Sequence, residues 1–497
     1  MRYAMSFSGM LTIFSLSAIS GCMVGPTFHA PNAPPITTYT ASPPIKTVSA
    51  ANAKDSGKSQ YFISSDAIPA DWWSLFHSEA LNRLIETGLT HSPNLTLAQA
   101  TLRQAEETFN AQIGAALYPA VNGQVTGERQ RFSDSSLGVS SSANIFNLYN
   151  ASVGVTYTLD VFGAARRGLE ALRAQVDYQS YELEATYLAL TSNIVTTAIA
   201  NASYAGQVEA THTLIKSQEN QLKIVRKQRD LGGASGADVF TQESQLAETR
   251  ASLPPLAQSL VQSQHALSML IGAFPEDGQV PIFHLAQLKL PIRLPVSLPS
   301  ELVRQRPDIK AAEALLHAAS AEVGVATANL YPQITLNGNY GWQGIAPSNL
   351  FKSSAVVWSF GGGLLQPIFN GGSLQAKRRA AIAAYEQAEA QYRQTVLQAF
   401  QNVSDVLRAL QHDAELLRAE VAAEVAAHRS LHLTEKQYQL GGVSYLSLLT
   451  AQRQYQQAII GRIQAEATRY ADTAALFQAL GGGWWHKRVL TESDQKG

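Results

Sequence analysis

The sequence is short of charge, of cysteine and of long apolar runs, and each shortage excludes something. Asp, Glu, Lys and Arg make up 15% of the 497 residues, against about a quarter in ordinary soluble domains. The single cysteine, Cys22, rules out a disulfide within one molecule. Beyond the N-terminus no apolar run is long enough to cross a bilayer as a helix, and mean hydropathy is −0.07, which excludes a transmembrane helix bundle. Gln, Ala, Ser and Thr stand where the charges are missing. With a net charge of −1 there is no global basic field to draw nucleic acid and no acidic tail. Gly-x-Ser-x-Gly, Gly-x-x-x-x-Gly-Lys and His-Glu-x-x-His are all absent, so no enzyme motif is available. Five methionines give no support to a copper relay. His428 and His432 stand four apart without an evident third ligand, and a solvated helix face is the better reading than a metal site.

What is present begins at the N-terminus. Arg2 precedes an apolar segment from Met10 to Ile19, followed by Ile19-Ser20-Gly21-Cys22, the anatomy of a secretory signal cleaved before Cys22. The segment resembles a bacterial lipobox, which implies a covalent lipid on Cys22 and no other cofactor. Met23 follows in place of the Asp associated with inner-membrane retention, so outer-membrane delivery is expected. Residues 1–21 thus read as signal peptide. Residues 22–65, with Pro31, Pro34, Pro35, Pro43 and Pro44, read as a lipid-anchored extended tether, since such composition favours polyproline-like chain over a core.

Further along, most features occur twice. Lys227-Gln-Arg-Asp-Leu-Gly-Gly-Ala-Ser235 returns as Lys436-Gln-Tyr-Gln-Leu-Gly-Gly-Val-Ser444. In both, Gly232-Gly233 and Gly441-Gly442 are expected to supply left-handed dihedrals that stop a helix, and Ser235 and Ser444 to cap the next. Asp238 reads as a first-turn carboxylate favoured by the helix dipole. Leu117-Tyr118-Pro119 returns as Leu330-Tyr331-Pro332, and Ser92-Pro93-Asn94-Leu95 as Arg306-Pro307-Asp308-Ile309. After each Tyr-Pro the period changes to two. Val121 to Glu128, Tyr149 to Asp160, Gln333 to Gln343 and Val356 to Leu364 alternate apolar and polar residues, predicting four strands long enough to cross a bilayer at a tilt. Four strands cannot close a membrane barrel, so several chains must share one; counting allows a dimer with eight strands or a trimer with twelve.

Between the strand pairs, Ala164 to Leu231 and Ser373 to Leu440 contain no proline and predict helices of roughly 100 Å each at 1.5 Å per residue. In the second, Tyr385, Tyr392, Ala399 and Val406 form one seven-residue series and Val396, Val403, Leu410 and Leu417 another, a coiled-coil seam. The domain organisation expected is a first structural repeat over 66–275, a linker over 276–300, a second repeat over 301–485 and a tail over 486–497.

The order of these pieces resembles outer-membrane factors of the TolC type, in the efflux lipoprotein branch that includes OprM and NodT. The resemblance is carried by Cys22-Met-Val-Gly-Pro26, Asp71-Trp72-Trp73 with Phe76, Tyr157-Thr-Leu-Asp-Val-Phe-Gly163, Leu298-Pro-Ser-Glu-Leu-Val-Arg-Gln-Arg-Pro-Asp308, Tyr445-Leu-Ser-Leu-Leu-Thr-Ala-Gln-Arg453 and Leu480-Gly-Gly-Gly-Trp484. It implies an α+β fold: an elongated homotrimer with a twelve-stranded outer-membrane β-barrel, four strands per chain, continued by a long α-helical periplasmic barrel. It also implies a periplasmic adaptor and a proton-driven inner-membrane pump as partners, and an exit duct for small molecules as the function. Tyr438, Leu446 and Thr450 fall at the periplasmic gate by the same resemblance. A carboxylate is common at the position of Thr450, and its replacement puts a charge-locked gate in doubt. The second Gly-Gly copy is the candidate inner gate and the first the outer contact. A duct for secreted proteins and a non-conducting coiled-coil lipoprotein are the alternatives.

Overall fold

The computed structural model of the chain describes residues 23–53, 55–64, 68–132, 144–277 and 280–486; Cys22 and the signal segment lie outside the described residues. The elements are β1 (Tyr61–Ser64), α1 (Glu79–His91), α2 (Pro93–Leu117), β2 (Ala120–Phe132), β3 (Asn144–Leu159), α3 (Ala164–Asp230), α4 (Gly236–Leu270), β4 (Arg293–Val296), α5 (Pro299–Gln305), α6 (Pro307–Ala328), β5 (Gln333–Gly344), β6 (Val356–Leu365), α7 (Ser373–Gln439) and α8 (Tyr445–Ala479). Two compact units divide them, and they cut across the repeats expected from sequence. Among the described residues, one comprises 23–31, 101–132, 144–180 and 311–393, the other 32–53, 55–64, 68–100, 181–277, 280–310 and 394–486.

The first unit holds a four-stranded antiparallel sheet in the order β2-β3-β5-β6. Strands of 10 to 16 residues match the period-two segments read from sequence and run past all four, by one residue in β5 and β6 and by several in β2 and β3. Asp160, directly after β3, turns the chain into a helix. Its carboxylate accepts from the backbone N–H groups of Ala165 (3.1 Å) and Arg166 (3.0 Å), compensating the unpaired donors of the first turn of α3. Beside this turn lie the first described residues of the chain. The Val24 N–H donates to the Phe162 carbonyl (3.2 Å), and the buried Arg167 donates to the carbonyls of Val24 (3.3 Å) and Gly25 (3.4 Å). Phe28 stacks on His317 with centroids 4.4 Å apart.

The second unit is built on α7, α8 and the aromatic cluster that Trp72 anchors. Trp72 is fully buried and stacks on Phe477 at 5.3 Å, while Phe76 meets Tyr470 at 6.3 Å. Helices α3 and α7 are 67 residues each. The seam of α7 departs from the expected one. Val396, Val403, Leu410 and Leu417 are all buried, as is the other series through Tyr392 and Ala399, but Val406 is half-exposed and Leu407, Ala414 and Val421 take over. A straight helix of 3.6 residues per turn drifts by about 20° per heptad, and the one-residue step from Val406 to Leu407 returns the seam to its neighbours.

The proline-rich segment also differs from a plain tether. Strand β1 pairs in parallel with β4, and Thr47, Ala50, Ala53, Ser56 and Gln60 are buried. The organising residue is Arg469 on α8, which is fully buried. Its guanidinium donates to the carbonyls of Ser56 and Lys58 (both 2.7 Å), to Thr47 Oγ1 (3.0 Å) and to Gln60 Oε1 (3.4 Å). Polar composition here supplies acceptors for one buried cation, so a segment with little apolar surface is nevertheless held.

Next to Arg469, burial and the neighbouring Asp472 carboxyl push the Asp413 carboxyl up to about 7, with Arg469 opposing. The folded chain therefore holds a proton that the unfolded chain loses near pH 4. The associated stability is full below about pH 4 and is lost as pH rises through about 7. Asp413→Asn is expected to remove this slope and to raise the melting temperature at pH 8 while changing it little at pH 4. Parallel melting curves for both proteins across this range would refute the assignment.

Candidate functional site

Two places carry geometry beyond packing: the sheet of the first unit and the helical turns of the second. In an antiparallel sheet, residues directly opposite share a face, so the register defines both faces. Val121 faces Val155, Val153 faces Tyr340, and Tyr340 faces Trp358. Val125, Ala151 and Trp342, then Leu336 beside Tyr157, complete one apolar surface across all four strands. Its large residues toward the outer strands are bare, Val125 80% exposed, Trp358 73% and Phe360 78%, while Ala151 in the middle is covered by its neighbours. The opposite face aligns Asn122, Gln124 and Thr126 with Gly154, Ser152 and Asn150, and these in turn with Asn339, Gly341 and Gln343. One face thus suits lipid and the other water, as a membrane barrel requires. The outer edges of β2 and β6 have no partner strand among the described residues.

At the turns, Gly232 and Gly441 have φ of +78° and +76°. Only the first glycine of each pair is left-handed, whereas both were expected to be. The reason is the hydrogen-bond pattern. The Gly232 N–H donates to the Arg229 carbonyl (2.9 Å) and Gly233 to Gln228 (2.7 Å); Gly441 donates to Tyr438 (3.0 Å) and Gly442 to Gln437 (2.8 Å). This is the Schellman closure, which needs one left-handed residue per helix end.

The next helices are capped differently. Ser235 Oγ accepts from the Asp238 N–H (3.1 Å) while the Asp238 carboxylate accepts from the Ser235 N–H (2.8 Å) and hydroxyl (2.7 Å), a reciprocal capping box. In the second copy Ser447 replaces Asp238, and Ser444 accepts from the Ser447 N–H (3.2 Å). Asp238 is engaged in its cap and Asp230 in an ion pair with Arg229 (2.7 Å).

The structure separates the three gate candidates into two settings. Leu446 is 64% exposed, and the exposed Thr450 sits one turn on, its hydroxyl donating to the Leu446 carbonyl (2.9 Å). Tyr438 is half-buried and packs against a core of Leu222, Val225, Val239, Leu246, Tyr445, Leu448 and Leu449. Its hydroxyl donates to Gln228 Oε1 (3.2 Å), and the Tyr445 hydroxyl donates to Gln242 Oε1. The two tyrosine rings lie 5.3 Å apart. Burial raises both phenol pKa values, with Asp238 adding to the rise, so both remain donors at neutral pH. Gln228, Gln242 and Tyr445 were not among the expected gate residues. Only Gln228 has a sequence signal, its recurrence as Gln437 in the second Gly-Gly motif, and that alone does not say what the amide accepts; Gln242 and Tyr445 have no counterpart of their own kind in the other copy. Leu231 and Leu440, each 87% exposed, and Phe240, 70% exposed, leave apolar groups bare beside the turns.

A sheet with one lipid-compatible and one hydrated face, on a chain that also carries paired long-helix hairpins, defines a channel-forming protein of the outer membrane. The family described as outer membrane efflux protein matches residues 84–273 and 298–482. An antibiotic efflux pump outer membrane protein, ArpC of Pseudomonas putida, is 31% identical over 482 residues, 94% of each chain. A probable outer membrane lipoprotein of Salmonella typhimurium, SilC, is 26% identical and covers 96% of this chain and 98% of its own. The solved structure of the outer-membrane channel OprN superposes with a TM-score of 0.84 at 28% identity, covering 93% of this chain and 100% of that one. The chain belongs to the outer membrane efflux protein family, and its place is the outer-membrane channel of an efflux pump.

Proposed function

We propose that three copies of this chain close one twelve-stranded barrel and form a passive exit duct for small molecules, handed over by a periplasmic adaptor and a proton-driven inner-membrane pump. The observation that carries the closure is the continuous apolar face of β2-β3-β5-β6 ending in two unpaired edges. Each unpaired backbone group in lipid costs several kcal/mol, and four strands fall short of the eight of the smallest such barrels. Edge must therefore meet edge between copies. Asn, Gln, Ser and Thr then line most of the pore, with Glu128 on the same face of β2. The bare Leu231, Leu440 and Phe240 suit an adaptor that covers apolar surface, and Leu446 with Thr450 forms the constriction on the inner side of the tips.

The test is mass and current on the same sample. The purified protein in detergent is expected to weigh three chains and to conduct in planar bilayers; a stable single chain, or a trimer silent even as Leu446→Ala, would overturn the duct. The lipid is a separate expectation. We read Cys22 as acylated, because Met23 and Val24 follow it directly and Val24 is fastened beside the end of β3, where a membrane barrel meets its interface. Cys22→Ser should abolish labelling by radioactive fatty acid, and label persisting on the variant would remove the assignment.

A further inference from the structure

The first unit contains the same join twice, once closed and once open. After β3 come Val161 and Phe162, and before β5 come Tyr331 and Pro332. Because β3 pairs with β5, the two aromatics meet: the rings of Phe162 and Tyr331 stack with centroids 4.8 Å apart at 18°. After β6 come Ile368 and Phe369, and before β2 come Tyr118 and Pro119. These strands are the two open edges, and here the groups are bare. Phe369 is 90% exposed, Ile368 95% and Tyr118 65%, whereas Phe162 and Val161 are half-buried and Tyr331 is 41% exposed.

We propose that Phe369 of one copy stacks on Tyr118 of the next, so that the joint between chains repeats the Phe162–Tyr331 joint within the chain. The proposal rests on the closure of several copies into one barrel. Strand direction alternates along β2-β3-β5-β6, so closure sets the Leu365 end of β6 beside the Ala120 end of the next β2, as the β3–β5 pairing sets Leu159 beside Ile334 within the chain. The following proline restricts Tyr118 and Tyr331 alike to extended backbone, which aims both rings in the same way relative to the strand they precede. An aromatic pair at this spacing adds attraction beyond area burial. The other occupant for such rings is the lipid headgroup region, where barrels carry aromatic girdles. The filled internal copy favours the second chain.

The test pairs cysteines across the joint. In isolated outer membranes treated with a short bis-maleimide, Phe369→Cys with Tyr118→Cys in one chain is expected to give covalent dimers and trimers, and either substitution alone to give neither. Phe162→Cys with Tyr331→Cys calibrates the reagent, linking within the chain without a change in chain count. If the calibration pair links and native mass shows trimers, yet the Phe369–Tyr118 pair gives no ladder, the two rings face lipid and the proposal fails. If native mass shows single chains, barrel closure itself fails. Should the cysteine pair not assemble, Phe369→Ala, Tyr118→Ala and the double variant supply the second reading. Partners should show equal losses in trimer dissociation temperature, and the double no greater loss than either. Additive losses would overturn the stack.

Discussion

Arg469→Ala is expected to lower the stability of the second unit by about 3–5 kcal/mol, the range found when one member of a buried charged network is removed. At roughly 2–4 °C per kcal/mol for a domain of this size, the melting temperature should fall by about 10 °C. The guanidinium serves four acceptors at once, two backbone carbonyls and the side chains of Thr47 and Gln60. Alanine leaves the Ser56 and Lys58 carbonyls and Gln60 Oε1 without this donor, Thr47 Oγ1 keeping only the Gln60 N–H (2.9 Å), and removes the cation that opposes the rise of the Asp413 carboxyl. Burial lowers the Arg469 pKa to about 10 against the pull of Asp413, so the group is charged at neutral pH. Arg469→Lys should recover part of the loss, because one ammonium cannot span a planar fork of acceptors. The local consequence is as specific as the global one. Released from α8, the 46–60 segment should become open to trypsin at Lys46 and Lys58 under conditions where the parent protein resists. Unchanged melting and an unchanged digest would show that β1 and its neighbours are held by something else.

That segment also marks where the sequence stops being legible. Four strands could be read because alternation survives in each of them, and α3 and α7 because proline is missing for more than sixty residues. The Gly-Gly turns were plain because few residues close a helix so cheaply. By contrast, residues 46–64 look like tether because they are poor in apolar surface. Their hold is a set of carbonyls and small hydroxyls answering an arginine more than 400 positions away, and a single Arg in an Ala-rich helix reads as solvated. The order β2-β3-β5-β6 lies beyond local pattern for the same reason, since β3 and β5 pair across α3, α4, β4, α5 and α6. At the tips, Tyr438 could be placed by resemblance, but its acceptor Gln228 is on another helix, and only the folded chain shows that Tyr438 turns inward while Leu446 and Thr450 do not.

Tyr438→Phe combined with Tyr445→Phe is expected to hold the duct open. The Tyr438–Gln228 bond joins α7 to α3 and the Tyr445–Gln242 bond joins α8 to α4, so both cross from one Gly-Gly hairpin to the other. Any widening that parts the hairpins must break them. Each such bond contributes about 1 kcal/mol net, hence about 2 kcal/mol per chain and about 6 kcal/mol for three chains acting together. At 1.4 kcal/mol per tenfold, that shifts the balance between closed and open tips by roughly 10⁴, enough to turn a duct open about 1% of the time into one that is open nearly always. Planar-bilayer recording should therefore show sustained current from the double variant where the parent gives brief openings. The Leu446→Ala variant acts differently, since it trims an exposed side chain without breaking either bond, and should change the size of each opening more than its duration. Pairing Tyr445→Phe with Gln242→Leu separates hydrogen bonding from packing. With both polar partners gone the Gln242 acceptor is no longer stranded, and the Gln218 carbonyl that loses the Gln242 amide (3.3 Å) lies within α3, where the helix supplies its own N–H, so closure should return in part. A double phenylalanine variant that assembles as a trimer and stays as closed as the parent would show that the hairpins are latched elsewhere.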